Sequence, residues 1–75
     1  MEIRLDCLPV GKQAVVTSMY IDSALKNRLR AYGFVPGTQI RCRYRSPGGS
    51  VTALELRGSV LALRTADLRN IRGCC

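Results

Sequence analysis

From Thr38 onward apolar and polar residues alternate, with Ile40, Cys42 and Tyr44 on one face and Arg41, Arg43 and Arg45 on the other. Successive side chains of a β-strand project to opposite sides, so the pattern predicts a strand with one buried face and one solvated face. Ser46-Pro47-Gly48-Gly49-Ser50 is dense in turn formers, and a second apolar run, Val51 to Arg57, follows it. A hairpin that sets Arg45 against Val51 brings Tyr44 opposite Thr52, Cys42 opposite Leu54 and Ile40 opposite Leu56. Gly58-Ser59 fits a two-residue type II′ turn, and pairing Arg57 with Val60 then aligns Leu56 with Leu61 and Leu54 with Leu63 on the same face.

Upstream, Ala14–Met19 is β-branched and apolar, as a strand buried on at least one face requires. Asp22 can accept hydrogen bonds from the free amides of a first helical turn, and Ile21, Leu25, Leu29 and Tyr32 then recur at helical spacing. Their shared face is expected to pack on the sheet. Gly33 stands where a left-handed residue ends a helix, Phe34 where the chain folds back on the last turn, and Pro36-Gly37 suits a type II turn. Thr65 is placed to cap a short helical turn, Ala66-Asp67-Leu68, with Asp67 near its positive end, before Ile71 forms a last short strand.

The sum is about five strands, one α-helix inserted after the first barrel strand, and a short helical turn near the C-terminus. Consecutive antiparallel hairpins sharing one inward face curl and close, because closure removes exposed edges. The expectation is therefore a mainly β chain folded as a small barrel. Residues 1–75 read as a single domain, with 73–75 as a flexible tail.

The chain's 75 residues are 47% hydrophobic, within the globular range. Its longest aliphatic run, Val60 to Leu63, is far too short to cross a bilayer. Met1 to Cys7 mixes charges with apolar residues and lacks the features of a secretory signal, which points to the cytoplasm. Cys7 and Cys42 stand alone and Cys74 and Cys75 are adjacent, so reduced thiols are expected rather than a disulfide framework. Twelve basic residues against five acidic ones give a net charge of +7, which favours an anionic partner.

Catalysis needs a positioned acid, base, nucleophile or metal, and the chain has no histidine and only five carboxylates, in no recognisable catalytic pattern. Asp22 and Asp67 read as helix-start residues, and Glu55 faces Arg41 across the expected hairpin. No catalytic residue and no cofactor are assigned. The terminal thiols Cys74 and Cys75 are the candidate metal ligands. A closed zinc site, however, takes four ligands and commonly shows cysteines spaced two to four residues apart, so no metal site is assigned.

Arg41, Arg43 and Arg45 form a stripe that can track phosphates or an acidic protein surface. Glu55 offsets part of it and Tyr44 is expected inward, where it cannot stack on bases, so no stable nucleic-acid complex is expected.

Arg28-Leu29-Arg30-Ala31-Tyr32-Gly33-Phe34-Val35-Pro36-Gly37 resembles the signature of the FeoA family, in which a helix ending in an arginine-leucine pair runs through Gly-Phe or Gly-Met into Pro-Gly. Leu8 to Gly11, the Ser46–Ser50 loop, and Val60-Leu61-Ala62-Leu63-Arg64 with Asp67 and Ile71 extend the likeness over nearly the whole chain. The resemblance implies an SH3-like barrel with a helical insertion. It implies a non-enzymatic, cytoplasmic accessory of bacterial ferrous-iron uptake, acting beside the membrane transporter FeoB, whose cytosolic part carries a guanine-nucleotide-binding domain.

Any membrane association would then run through that partner, with the chain peripheral at the inner membrane. A similar barrel is appended to iron-dependent repressors, which leaves two alternatives: a metal-responsive regulatory module, or a nucleic-acid-binding barrel that uses the arginine stripe. A helix laid on a tiny barrel leaves a rim accessible, so Leu25, Arg28, Leu29, Arg30, Tyr32 and Phe34 are the first choice for partner contact. Arg28 and Arg30 would steer an acidic surface toward it. Oligomeric state is not written in these patterns.

Overall fold

Six antiparallel strands form one sheet in the computed structural model, which describes residues 1–75. In chain order the elements are β1 (Glu2–Arg4), β2 (Gln13–Met19), α1 (Ser23–Ala31), β3 (Gln39–Arg45), β4 (Val51–Leu56), β5 (Ser59–Arg64), α2 (Thr65–Leu68) and β6 (Ile71–Cys74). A 3-10 turn over Leu5–Cys7 follows β1. The strand order is β1-β6-β2-β3-β4-β5, so the sheet curls around a core as an SH3-like barrel does but leaves β1 and β5 as unjoined edges.

The predicted alternation builds the core. Ala14, Val16 and Met19 of β2, Ile40 and Cys42 of β3, Leu54 and Leu56 of β4, and Leu63 of β5 are all buried. Leu5, Leu8, Leu29, Phe34, Leu68 and Ile71 fill the space from the connections, helices and last strand. Phe34 is fully buried, and a side chain of that size stabilises the fold by up to about 3 kcal/mol through removal of apolar area from water.

Helix α1 begins as its sequence predicts. Asp22 lies in the β region and its Oδ1 accepts from the Leu25 amide at 2.8 Å. Its end is a Schellman motif: Gly33, at φ +84°, donates to the Arg30 carbonyl at 2.9 Å, and Phe34 donates to the Leu29 carbonyl at 2.9 Å. That geometry drives the Phe34 ring under the last helical turn, into the core beside Leu29. The Val35–Thr38 turn closes through the Thr38 amide on the Val35 carbonyl at 3.0 Å, with Gly37 at φ +96° as a type II turn demands.

Several expectations are corrected. Tyr44 was expected inward and Arg45 outward, but a β-bulge between Cys42 and Tyr44 shifts the register by one. Arg41 still faces Glu55 and Cys42 faces Leu54, whereas Tyr44 now faces Ala53 and Arg45 faces Thr52. Tyr44 is consequently 55% exposed, and Arg45 turns toward the end of the barrel. A bulge inserts one unpaired residue and reverses the faces beyond it.

The β4–β5 turn uses Arg57-Gly58, not Gly58-Ser59. Both residues have positive φ, +50° and +79°, which is the type I′ signature, and Leu56 pairs with Ser59. The register moves by two, so Leu54 faces Leu61 and Thr52 faces Leu63, and the apolar face is preserved.

Thr65 does not cap the following helical turn. Arg64 holds the cap position, and the Thr65 hydroxyl bonds that of Thr52 at 2.8 Å. The expected flexible tail is largely strand: Gly73 pairs with Ile3 and Val16, and Cys74 with Glu2 and Val15. The sixth strand, β1, is the one the sequence pattern did not announce.

Gly73 also explains itself. A Cβ there would fall 2.7 Å from Leu5 Cδ2 and 3.2 Å from the Val15 carbonyl oxygen, so any side chain would force Leu5 or β6 to move.

Candidate functional site

The sequence-predicted rim residues separate into two groups. Leu29 and Phe34 are core residues, with 2% and 0% of their surface exposed, so neither presents its side chain at the rim. Tyr32 moves the other way: expected on the packing face, it occupies the C-cap of α1 and is 60% exposed. Arg28 and Arg30 are exposed and Leu25 is half-buried against the core. The accessible rim is therefore Leu25, Arg28, Arg30 and Tyr32.

Helix α1 divides two recesses. On one side Arg30 and Lys26 border a small hollow of about 250 Å³ with Met19, Phe34, Val35 and Pro36. On the other, Leu25 and Arg28 face Ala62, Leu63 and Arg64 across a groove of about 410 Å³ that Asp22 and Asp67 also border.

The arginine stripe is broken. Arg41 donates to the Gly11 carbonyl at 3.2 Å, and Arg43 forms an exposed ion pair with Glu55 at 3.4 Å. Arg45 leaves the stripe: it donates to the Leu8 carbonyl at 3.0 Å and to the Thr52 hydroxyl at 3.2 Å. The outer face of β3 thus presents Arg41, Arg43 and the exposed ring of Tyr44, which sequence periodicity had placed inside. Arg57 is a further basic residue the sequence reading did not single out. Its side chain packs at 3.1 Å from where a Gly33 Cβ would stand, and with Arg41 it borders a recess of about 480 Å³ on the β3–β4 end. Nothing in the sequence joins Arg57 to Arg41; the hairpin register does.

Electrostatically the molecule is a basic surface with few internal partners. Asp6 engages Arg4 at 3.0 Å and Arg69 at 3.9 Å, and Glu55 engages Arg43. Arg28, Arg30, Arg41, Arg57 and Arg64 have no carboxylate within salt-bridge distance, so no acidic group of the chain pairs with their charge. Cys7 and Asp6 raise the Arg4 pKa above its usual value by hydrogen bonding and charge attraction.

No three histidine, cysteine, aspartate or glutamate side chains gather at one point. Cys74 is exposed near the amino terminus, at 3.6 Å from its nitrogen, and Cys75 is exposed at the chain end. No helix is long and apolar enough to cross a membrane.

A six-stranded curled sheet with a helix inserted after its first long strand and a second short helix before its last is the architecture of a small SH3-like domain. Residues 3–73 match the FeoA domain, and this chain belongs to the FeoA family. Among solved structures it is similar to the FeoA protein from Chlorobium tepidum, at 26% identity and a TM-score of 0.90, covering 96% of this chain and 70% of that one. It is also similar to the zinc complex of Stenotrophomonas maltophilia FeoA, described as a procaryotic SH3 domain protein. That match is at 29% identity and a TM-score of 0.76, over 92% of this chain and 86% of the other.

The T. acidophilum IdeR structure shares the fold at 16% identity and a TM-score of 0.85, over 97% of this chain and a third (33%) of that one. A search of the curated proteins finds no match.

Proposed function

We propose that this chain is a non-enzymatic accessory of ferrous-iron uptake that binds the cytosolic face of a FeoB-type transporter and modulates its assembly or activity. The observation that carries the reading is membership of the FeoA family across residues 3–73, a span that reaches into every strand of the sheet.

The surface supports the same reading. Its unpaired arginines and exposed Tyr32 are suited to recognising an acidic protein face, because charge raises encounter rate and fixes orientation while an aromatic anchor adds buried area. The test is ferrous-iron uptake in cells that retain the transporter and lack this chain. Uptake should fall at unchanged transporter abundance and recover with wild type, but recover poorly with the folded double variant Arg28→Glu, Arg30→Glu. Full recovery by that variant contradicts a contact at the α1 rim, and unchanged uptake without the chain contradicts the function.

One observation favours a second reading. The bulge in β3 puts Tyr44 on the outer face next to Arg43, an aromatic ring beside a cation as single-stranded nucleic acid binders use. Salt-dependent oligonucleotide binding lost in Tyr44→Ala would promote it over the transport reading.

A further inference from the structure

Strand β5 is an edge, and its free side is turned toward α1. Its hydrogen bonds to β4 can be placed residue by residue. The Val51 carbonyl accepts from the Ser46 amide at 2.9 Å, and the Val51 amide donates to Ser46 Oγ at 3.0 Å, so Val51 spends both groups on the β3 side. Val51 and Arg64 are therefore a non-hydrogen-bonded pair, and the alternation of antiparallel ladders makes Ala53–Ala62 and Glu55–Val60 non-hydrogen-bonded as well. Val60 and Ala62 consequently point their N–H and C=O groups away from β4, where no strand meets them.

What lies beyond that edge is a groove, not open solvent. The start of α1 faces Ala62–Arg64 across the 410 Å³ recess, and at its other end Gly33 meets Arg57. The helix therefore runs alongside β5, antiparallel to it. Ala24 and Ala62 are small, Leu25 and Leu63 supply apolar contact, and Arg28 and Arg64 carry charges that no carboxylate of the chain takes up. Asp22 is engaged with the Leu25 amide, and Asp67 borders the same groove.

We infer that the β5–α1 groove receives an extended peptide segment of the partner, which adds a strand to β5 and presents an acidic side chain to Arg28 and Arg64. Unpaired main-chain groups in register along an edge are satisfied by another extended backbone, and neighbouring pockets then select its side chains. Asp22 and Asp67 balance the formal charge of the groove, so the demand for an acidic side chain is local to the position that meets Arg28 and Arg64, neither of which has a carboxylate within salt-bridge distance. The inference rests on the proposed docking to the transporter and names the surface and the chemistry of what it grips.

The test is amide hydrogen exchange on the full chain, alone and with the detergent-solubilised transporter, together with two variants. Ala62→Pro removes an outward N–H and leaves the β4 ladder intact, and the double charge reversal Arg28→Glu, Arg64→Glu does not touch the backbone. Binding should slow exchange at Val60 and Ala62 at least tenfold, and each variant should weaken binding at least tenfold while keeping its circular-dichroism spectrum. If the transporter binds but these amides exchange as in the free chain, and the charge reversal binds like wild type, the inference is overturned and the docking function stands. Protection of the same amides in the chain alone, rising with its concentration, overturns it in favour of a second copy at this edge. Failure of folded wild type to bind the transporter overturns both readings.

Discussion

The Arg45 guanidinium donates to the carbonyl of Leu8 at 3.0 Å, linking the end of β3 to the segment that precedes β2. The same side chain reaches the Thr52 hydroxyl, which in turn bonds that of Thr65. A single arginine thus ties the segment before β2 to β4 and, through Thr52, to the start of α2 at one end of the barrel.

Arg45→Ala is expected to destabilise the chain by about 1.5–3 kcal/mol, the range for hydrogen bonds to a charged group, and Arg45→Lys should recover less than half because an ammonium cannot reproduce the fork. Urea unfolding checks this. A midpoint unchanged in Arg45→Ala would mean that water satisfies the Leu8 carbonyl equally well.

Gly73→Ala places a methyl 2.7 Å from the fully buried Leu5 side chain. Relief requires β6 or Leu5 to shift within a packed core, at a cost of about 1–3 kcal/mol. Thermal unfolding should show the loss, and wild-type stability in this variant would show that β6 sits farther from the core.

Phe34 and Tyr32 are two residues apart and should behave oppositely. Phe34→Ala empties a fully buried site and should cost about 3–5 kcal/mol, whereas Tyr32→Ala, on the surface, should stay within about 0.5 kcal/mol. Equal effects in denaturant unfolding would contradict the burial described for the end of α1.

Asp22→Ala removes the carboxylate that accepts the Leu25 amide and should cost about 1 kcal/mol, concentrated in faster hydrogen exchange through the first turn of α1. Asp22→Asn should retain most of the protection. Indistinguishable exchange in Asp22→Ala would show that the helix start is held by packing alone.

Much of the fold was legible because period-two alternation and turn chemistry act locally. Ile40, Cys42, Leu54, Leu56 and Leu63 lie inward as expected, and Asp22, Gly33 and Gly37 occupy the cap and turn positions their chemistry favours. What escaped depends on partners distant in sequence. The alternation through Arg45 is unbroken in the sequence, so nothing local marks the bulge at β3, and Tyr44 and Arg45 exchanged faces. Arginine at positive φ is uncommon, which made Gly58-Ser59 the natural turn where Arg57-Gly58 forms it.

The Gly73-Cys74 segment has no strand signature of its own and becomes a strand by lying between β1 and β2. The candidate surface was half legible for the same reason. Helical spacing put Leu25 and Leu29 on one face, but the Schellman turn, which swings Phe34 inward and leaves Tyr32 outside, decides which aromatic a partner can meet.

The most direct test of the account is a binding titration of the full chain against the detergent-solubilised FeoB-type transporter at several ionic strengths. Saturable association that weakens as salt rises is expected, since unpaired arginines guide the encounter. No association by the folded chain at any ionic strength would contradict it.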